Sequence, residues 1–239
     1  MKYVLLILGI SGFINPQQQD FSSLFQTQQL IVVTSDNWST TQGRLSFYEL
    51  NAENKWKPVL KDIAVMLGRT GMAWGAGLHP TNLNTGTLKQ EGDGKSPAGI
   101  FKLTRLFGYG EMESRMDYVQ ADSTLYCVDD VNSAYYNQLV NTRNIDKDWS
   151  SAEDMRRTDH QYKFGVVVAY NTEDVKKGAG SCIFLHIWRS PTNSTSGCTS
   201  MSESNLLTIM QALDKKKNPV LVQMPNKEYN QLKKIYTLP

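Results

Sequence analysis

The stretch Gly180–Met201, GSCIFLHIWRSPTNSTSGCTSM, is where the reading of this chain starts. Ile183-Phe184-Leu185 is rich in β-formers and follows Gly178-Ala179-Gly180, so Cys182–Trp188 reads as a strand. A histidine, His186, sits near the end of that apolar run. A polar Pro/Asn/Ser/Thr loop follows and closes on Ser196-Gly197-Cys198, with eleven residues between the histidine and Cys198. A buried strand ending in imidazole, and a loop returning a Gly-Cys, can bring the two groups into contact. That pair is the minimum for an activated thiolate nucleophile.

Two other readings of the same residues stand beside it. Cysteine is among the most buried residue types, so Cys198 and His186 can be core residues without chemistry. Cys182, His186 and Cys198 are also all zinc-ligand types. The strand argues against zinc: four steps of about 3.3 Å place residues 182 and 186 roughly 13 Å apart, too far to share one tetrahedral ion.

A second stretch, Gly68–His79, carries four glycines, which forbid a regular element and make a loop, with Arg69, Trp74 and His79 exposed on it. It lacks the strand–GxGxxG–helix context of a dinucleotide site. Lys89–Phe101, KQEGDGKSPAGIF, follows it: glycines for positive φ and Pro97 to fix the backbone before a strand make a tight turn, either an ordered hairpin loop or a wall of a cleft.

Together these segments resemble the YkuD-type L,D-transpeptidases, whose active-site pattern is a histidine, a loop, then Ser/Thr-His-Gly-Cys. The resemblance covers roughly residues 30–225. It places His186 on the general base, Thr195 on the Ser/Thr, Gly197 on the glycine and Cys198 on the nucleophile. Ser196 stands where the common form has a second histidine, the loop is short, and no arginine follows in Thr199-Ser200-Met201. The chain is most similar to a branch with Thr-x-Gly-Cys, Gly-Arg-x-Gly…Trp-Gly and Lys-x-Glu-Gly-Asp-Gly-Lys flanks.

The resemblance implies a mainly β fold with a few short helices, a β-sandwich of mixed sheets. It implies an acyl transfer in which Cys198 forms a thioester with a peptidoglycan stem tetrapeptide and releases D-Ala. An amine then completes a 3→3 cross-link or anchors another acceptor. Water as acceptor would make an L,D-carboxypeptidase; a catalytically silent wall-binding domain is the reading from another class. The backbone N–H groups of Gly197 and Cys198 are the expected oxyanion hole. His186 is expected to lower the Cys198 pKa as an ion pair, with only the Ile187 carbonyl placed next to it to orient the ring. Arg69, Trp74, His79, Arg189, Thr195 and Ser196 make up the expected substrate-binding set, the two arginines for carboxylates. No cofactor and no metal is implied.

Composition agrees with one catalytic unit. The 239 residues suit one substantial core, and a net charge of +2 with both signs scattered gives no nucleic-acid footprint. Lys2 followed by the apolar Val4–Phe13 has the layout of a secretory signal peptide and is too short for a membrane span. Residues 1–19 are therefore read as a signal segment and 20–239 as the catalytic domain. The protein is expected to be exported to the periplasm or cell envelope, with no stable membrane association after cleavage. Three cysteines leave one odd: if Cys198 stays reduced, Cys127 and Cys182 pair, stay buried or line the cleft.

Along the chain, Asp20–Gln29 reads as a polar lead-in. Leu30–Thr34, Arg44–Leu50 and a strand pair at Trp56–Leu60 and Ile63–Leu67 read as a β-meander. Ile100–Leu106 and Phe164–Tyr170 are further strands, the latter a neighbour of the histidine strand. Ser133–Leu139 reads as a short helix, with Asp129 and Asp130 in structural roles at its start, and Ala152–Arg157 as a helical turn. Ser200-x-x-Glu203 reads as the capping box of a helix whose positive end lies within a turn of Cys198. Lys215–Lys217 suits that helix's negative end; a closing strand, Pro219–Met224, and a helical turn, Asn226–Tyr236, follow.

Overall fold

The computed structural model describes residues 18–239. The expected signal segment lies almost wholly outside the described residues. Gln18 and Gln19 already belong to the fold: the Gln19 N–H donates to the Ile235 carbonyl at 2.8 Å, and the Thr237 N–H donates to the Gln19 carbonyl at 2.9 Å. Asp20 then caps α1 (Phe21–Phe25), its carboxylate accepting from the Ser22 N–H at 3.0 Å. Phe21 is fully buried, with its ring centroid 5.8 Å from that of Tyr236. The expected polar lead-in is thus a short helix that pins this end of the chain to the C-terminal one.

β1 (Gln29–Ser35), β2 (Gln42–Leu50) and β3 (Trp56–Met66) form the expected antiparallel meander. β3 is one strand rather than a pair. Asp62 takes φ 55° and the register against β2 slips near Phe47, so the break read between Leu60 and Ile63 is a bulge. Next come β4 (Met72–Trp74), β5 (Ser96–Gly108), β6 (Asp117–Gln120), β7 (Leu125–Val128), β8 (Leu139–Asn141) and β9 (Ala152–Asp154). The chain continues through β10 (Phe164–Val168), β11 (Phe184–Ile187), β12 (Thr199–Met201), α2 (Glu203–Ala212), β13 (Val220–Pro225) and α3 (Asn226–Ile235). Among the described residues no helix is long and apolar enough to cross a membrane.

The fold is mainly β with mixed sheets, as expected. The large sheet runs β10-β11-β12-β3-β2-β1-β13-β5, and β5 pairs back to β10, so the path closes on itself. β1–β13 and β11–β12 are parallel; the other pairs of this ring are antiparallel. Leu30-Ile31-Val32-Val33 is buried on both faces because β1 is flanked by β2 and β13 and covered by α3. α2 packs behind β10 and β11, the strands that carry the histidine side of the cleft. A small separate sheet, β8-β7-β9, completes the structure.

Several local expectations are corrected. The glycines of Gly68–His79 flank rather than interrupt Met72–Trp74, which pairs as β4 with Ser96–Ala98. Ser133–Leu139 forms turns and no helix, because Asn137 takes φ 63° and donates to the Tyr170 and Asn171 carbonyls. Asp130 keeps a structural role there, accepting from the Asn132 and Ser150 N–H groups. Ala152–Arg157 begins as β9, paired with β7. The cap of α2 is Ser202, which accepts from the Asn205 N–H at 3.4 Å, while Ser200 lies in β12. Arg115, not the lysine run, bonds the last carbonyls of α2, at 3.2 Å to Gln211 and 2.9 Å to Ala212. The terminal helical turn is a full ten-residue α3.

Gly165 faces His186 across the β10–β11 pair, and a Cβ there would lie 2.1 Å from Phe107 Cζ. Gly165→Ala is therefore expected to cost about 1–3 kcal/mol of stability through overpacking. Urea denaturation measures it; a midpoint equal to wild type would contradict the close approach.

Candidate active site

The parallel register sets Leu185 opposite Thr199 and His186 opposite Ser200, which puts Phe184 level with Cys198. Phe184 and His186 share one face of β11, two residues apart. The Phe184 N–H donates to Cys198 Sγ at 3.3 Å, and the thiol in turn donates to the Cys182 carbonyl at 3.5 Å. His186 and Cys198 both line one cleft of about 500 Å³. His186 Nδ1 lies 2.8 Å from the Ile187 carbonyl. A carbonyl only accepts, so Nδ1 carries the proton and Nε2 is left with its lone pair. Tyr162 holds the ring by an edge contact, with centroids 5.2 Å apart.

The cysteine loop is fixed by its own carbonyl. Ser96 Oγ donates to the Cys198 carbonyl at 3.0 Å and Thr195 Oγ1 donates to it at 2.6 Å. Thr195 Oγ1 also accepts the Gly197 N–H at 3.1 Å. Of the two expected oxyanion donors, Gly197 is thereby engaged, and Cys198 N–H has no hydrogen-bond partner among the described residues. Gly197 has φ +152°, and a Cβ there would lie 3.1 Å from the Lys95 carbonyl oxygen. Ser96 and Lys95 belong to the glycine-rich Lys89–Phe101 stretch, so the two sequence motifs meet at this point.

Burial sets the charges. Loss of water pushes the Cys198 thiol up to about 12, against the smaller pull of the Phe184 N–H. The same loss pulls His186 down to about 4, with the Ile187 bond opposing. Burial thus works against the expected thiolate–imidazolium pair in the resting site. The helix dipole does not reverse this. β12 separates Cys198 from Ser202 by four strand steps, roughly 13 Å, and a helix end acts only within its first turn.

The expected substrate residues divide. Arg69 lines the cleft and donates to Ser196 Oγ at 3.2 Å. Arg189 lines it too and is largely exposed, 3.6 Å from Asp159. Thr195 and Ser196 are in the cleft wall, with Thr195 committed to the loop. Trp74 and His79 are not exposed: they are 3% and 5% accessible and line a second cavity. Their rings stack 5.4 Å apart, and His79 is tied to Asn84 and the Ile100 N–H. The tight packing of Gly75 and Gly77 against Tyr170 and Phe101 brings this segment inward.

Other cleft residues were not singled out from sequence. Arg157 donates two hydrogen bonds to the Asp159 carboxylate, at 2.9 and 2.7 Å, and covers the Tyr162 ring at 5.0 Å. Glu153 is half-buried, and partial loss of water pushes its carboxyl up. Lys89 and Glu91 contribute from the glycine-rich stretch. The tightly spaced charges in Glu153–Asp159 were a signal, masked by reading that segment as a helical turn. Cys127 and Cys182 form a disulfide with Cα atoms 5.9 Å apart, leaving Cys198 as the free thiol. The Cys182 sulfur is therefore bonded to the Cys127 sulfur and not available as a zinc ligand.

His186 gives a stability signature. Its ordinary value of 6.5 falls to about 4 in the fold, so between those pH values the unfolded chain binds a proton that the native chain does not. Stability from this group is then full above about pH 6.5 and is lost as pH falls toward about 4, a total of about 3 kcal/mol. His186→Gln should flatten the slope of melting temperature against pH in that window. An unchanged slope would show that the imidazole is not held neutral.

Among family models, the YkuD L,D-transpeptidase catalytic domain matches residues 30–222. No curated protein and no solved structure matches the chain. The matched span runs from β1 into β13 and includes both halves of the cleft. The chain belongs to the YkuD family of L,D-transpeptidase catalytic domains.

Proposed function

We propose that this protein is an exported peptidoglycan L,D-transpeptidase with Cys198 as nucleophile and His186 as general base. The observation that carries the reading is the imidazole orientation: Nδ1 is held by the Ile187 carbonyl at 2.8 Å, which leaves Nε2 as the base in the cleft that holds the thiol. Family membership supplies the substrate class, a peptidoglycan stem peptide.

Because both groups rest neutral, the thiol proton passes to His186 Nε2 as the sulfur–carbon bond forms, rather than beforehand. Attack on the carbonyl of the third stem residue gives a tetrahedral oxyanion, for which the Cys198 N–H is a donor. Collapse breaks the peptide bond, His186 returns the proton to the departing D-Ala amine, and a thioester remains on Cys198. An acceptor amine then loses its proton to Nε2 and attacks the thioester. The new amide is the 3→3 cross-link, and the proton returns to Sγ. Arg69 and Arg189, on the cleft rim, are suited to substrate carboxylates.

A buried neutral thiol alkylates slowly at neutral pH, so sluggish modification of the resting protein fits the enzyme reading and does not separate it from a silent domain. Turnover does. D-Ala release from a purified tetrapeptide-stem fragment is expected for wild type and expected to be absent for Cys198→Ala, with products identified by mass spectrometry. Release by the Cys198→Ala protein would overturn the mechanism. Hydrolysed tripeptide alone, in the presence of an amine-bearing stem, would move the assignment to a carboxypeptidase.

A further inference from the structure

Lys89 is a buried cation that the reaction just described does not use. Its side chain is only 4% exposed. Taking an ammonium out of water costs several kcal/mol per ion. The protein offsets this with Asp93, whose carboxylate accepts from Nζ at 2.8 Å, and with the Gln90 carbonyl at 3.3 Å. An ammonium has three N–H donors, so two bonds leave one.

The position of the charge is set by glycines. Lys89 Cε lies 2.8 Å from where a Cβ on Gly180 would stand, and Nζ lies 3.6 Å from the corresponding point on Gly197. The lysine therefore runs between the residue that leads into β11 and the residue that precedes Cys198. It fits there because neither carries a side chain. It also lines the cleft with Cys198.

The charged groups that act on the thiol come from three parts of the chain. Lys89 and Arg157 favour its anion, Lys89 more strongly, and Glu153 opposes it. Tyr162, a buried phenol whose ionisation is pushed well up, and the neutral His186 add no charge. Both cations are ion-paired, Arg157 with Asp159 and Glu153 and Lys89 with Asp93, and what separates them is that Lys89 Nζ lies beside Gly197. No other cation combines burial with a place beside Gly197 among the described residues.

We propose that Lys89 is a positioning residue for the nucleophile, a fixed cation that, across Gly197, stabilises the negative charge at Cys198 as it attacks. The inference rests on Cys198 being the nucleophile. Lys89 takes no part in the proton transfer. The thiol proton still goes to His186, and the charge still passes from sulfur to the substrate oxygen. Lys89 lowers the energy of the negative charge that builds on sulfur as its proton leaves and the bond to carbon forms, and does not hold the substrate.

Alkylation of Cys198 by iodoacetamide, followed by mass spectrometry from about pH 7 to about pH 10, tests this directly. Cys127 and Cys182 are bonded to each other, so Cys198 is the thiol that reports. Lys89→Met removes the charge and keeps the length. The double variant Lys89→Met with Asp93→Asn removes the pair together, so that no uncompensated carboxylate is left buried if the single variant fails to fold. In the folded variant the alkylation profile is expected to move up by about one pH unit or more, about tenfold slower at a fixed pH. D-Ala release should fall through kcat with KM unchanged. A folded variant with the wild-type alkylation profile would overturn the proposal, as would a rise in KM with kcat unchanged, which would make Lys89 a substrate contact. D-Ala release that survives Cys198→Ala would overturn the nucleophile reading instead, and the alkylation comparison is unaffected by that outcome.

Discussion

The carbonyl of Cys198 is the point on which the site depends. It accepts from Ser96 and Thr195 at once, one hydroxyl from the start of β5 and one from the loop before the cysteine. Two good acceptor bonds fix the plane of the following peptide and with it the entry into β12. β12 in turn sets the register against β11, and that register places His186 and Cys198 along the same cleft. Ser96 also accepts the Gly68 N–H at 2.9 Å, and the Arg69 N–H donates to the Thr195 carbonyl at 2.8 Å. Three segments distant in sequence are thereby joined around one peptide unit. A buried acceptor left unmade would cost about 1–3 kcal/mol, so the arrangement is also a condition of folding.

The second constraint is dielectric. The thiol and imidazole sit where water is excluded, and burial moves both away from their charged forms. The surrounding charges are paired before they can act freely: Arg157 with Asp159, Lys89 with Asp93. Such a site carries little free charge at rest. In the proposed reaction its charge appears when substrate arrives and the proton moves, which is when fixed dipoles and cations act most strongly.

Much of this was legible in the chain. The β-forming Ile183–Leu185 gave the histidine strand, and its pairing with β10 followed from adjacency. The identity of residue 187 left only a backbone carbonyl to orient His186, and that contact is present. Closure of the sheet was not legible, because β5 must pair with β13 along one part and β10 along another, and neither partner is marked by local pattern. The four glycines of Gly68–His79 suggest looseness, and with it exposure of Trp74 and His79. At Gly75 and Gly77 glycine instead allows rings to approach. The helix expected at Ser133–Leu139 failed for a similar reason. Asn137 there serves distant backbone, accepting the Cys182 N–H at 2.9 Å, and a helical conformation would withdraw it. The burial of Lys89 was not legible, since it depends on glycines 91 and 108 positions away, Gly180 and Gly197.

The disulfide between Cys127 and Cys182 has a consequence for the lifetime of the free thiol, Cys198. Such bonds persist where the surroundings are oxidising, and those are the surroundings in which a free cysteine is converted to sulfenic and higher acids. Thiolates are the vulnerable form. Cys198 is 8% accessible, holds its proton to about 12 and donates it to the carbonyl of Cys182 itself. Burial of the Cys198 thiol is thus also chemical durability: in the proposed reaction the sulfur stays in its least oxidisable state until a substrate draws the proton away.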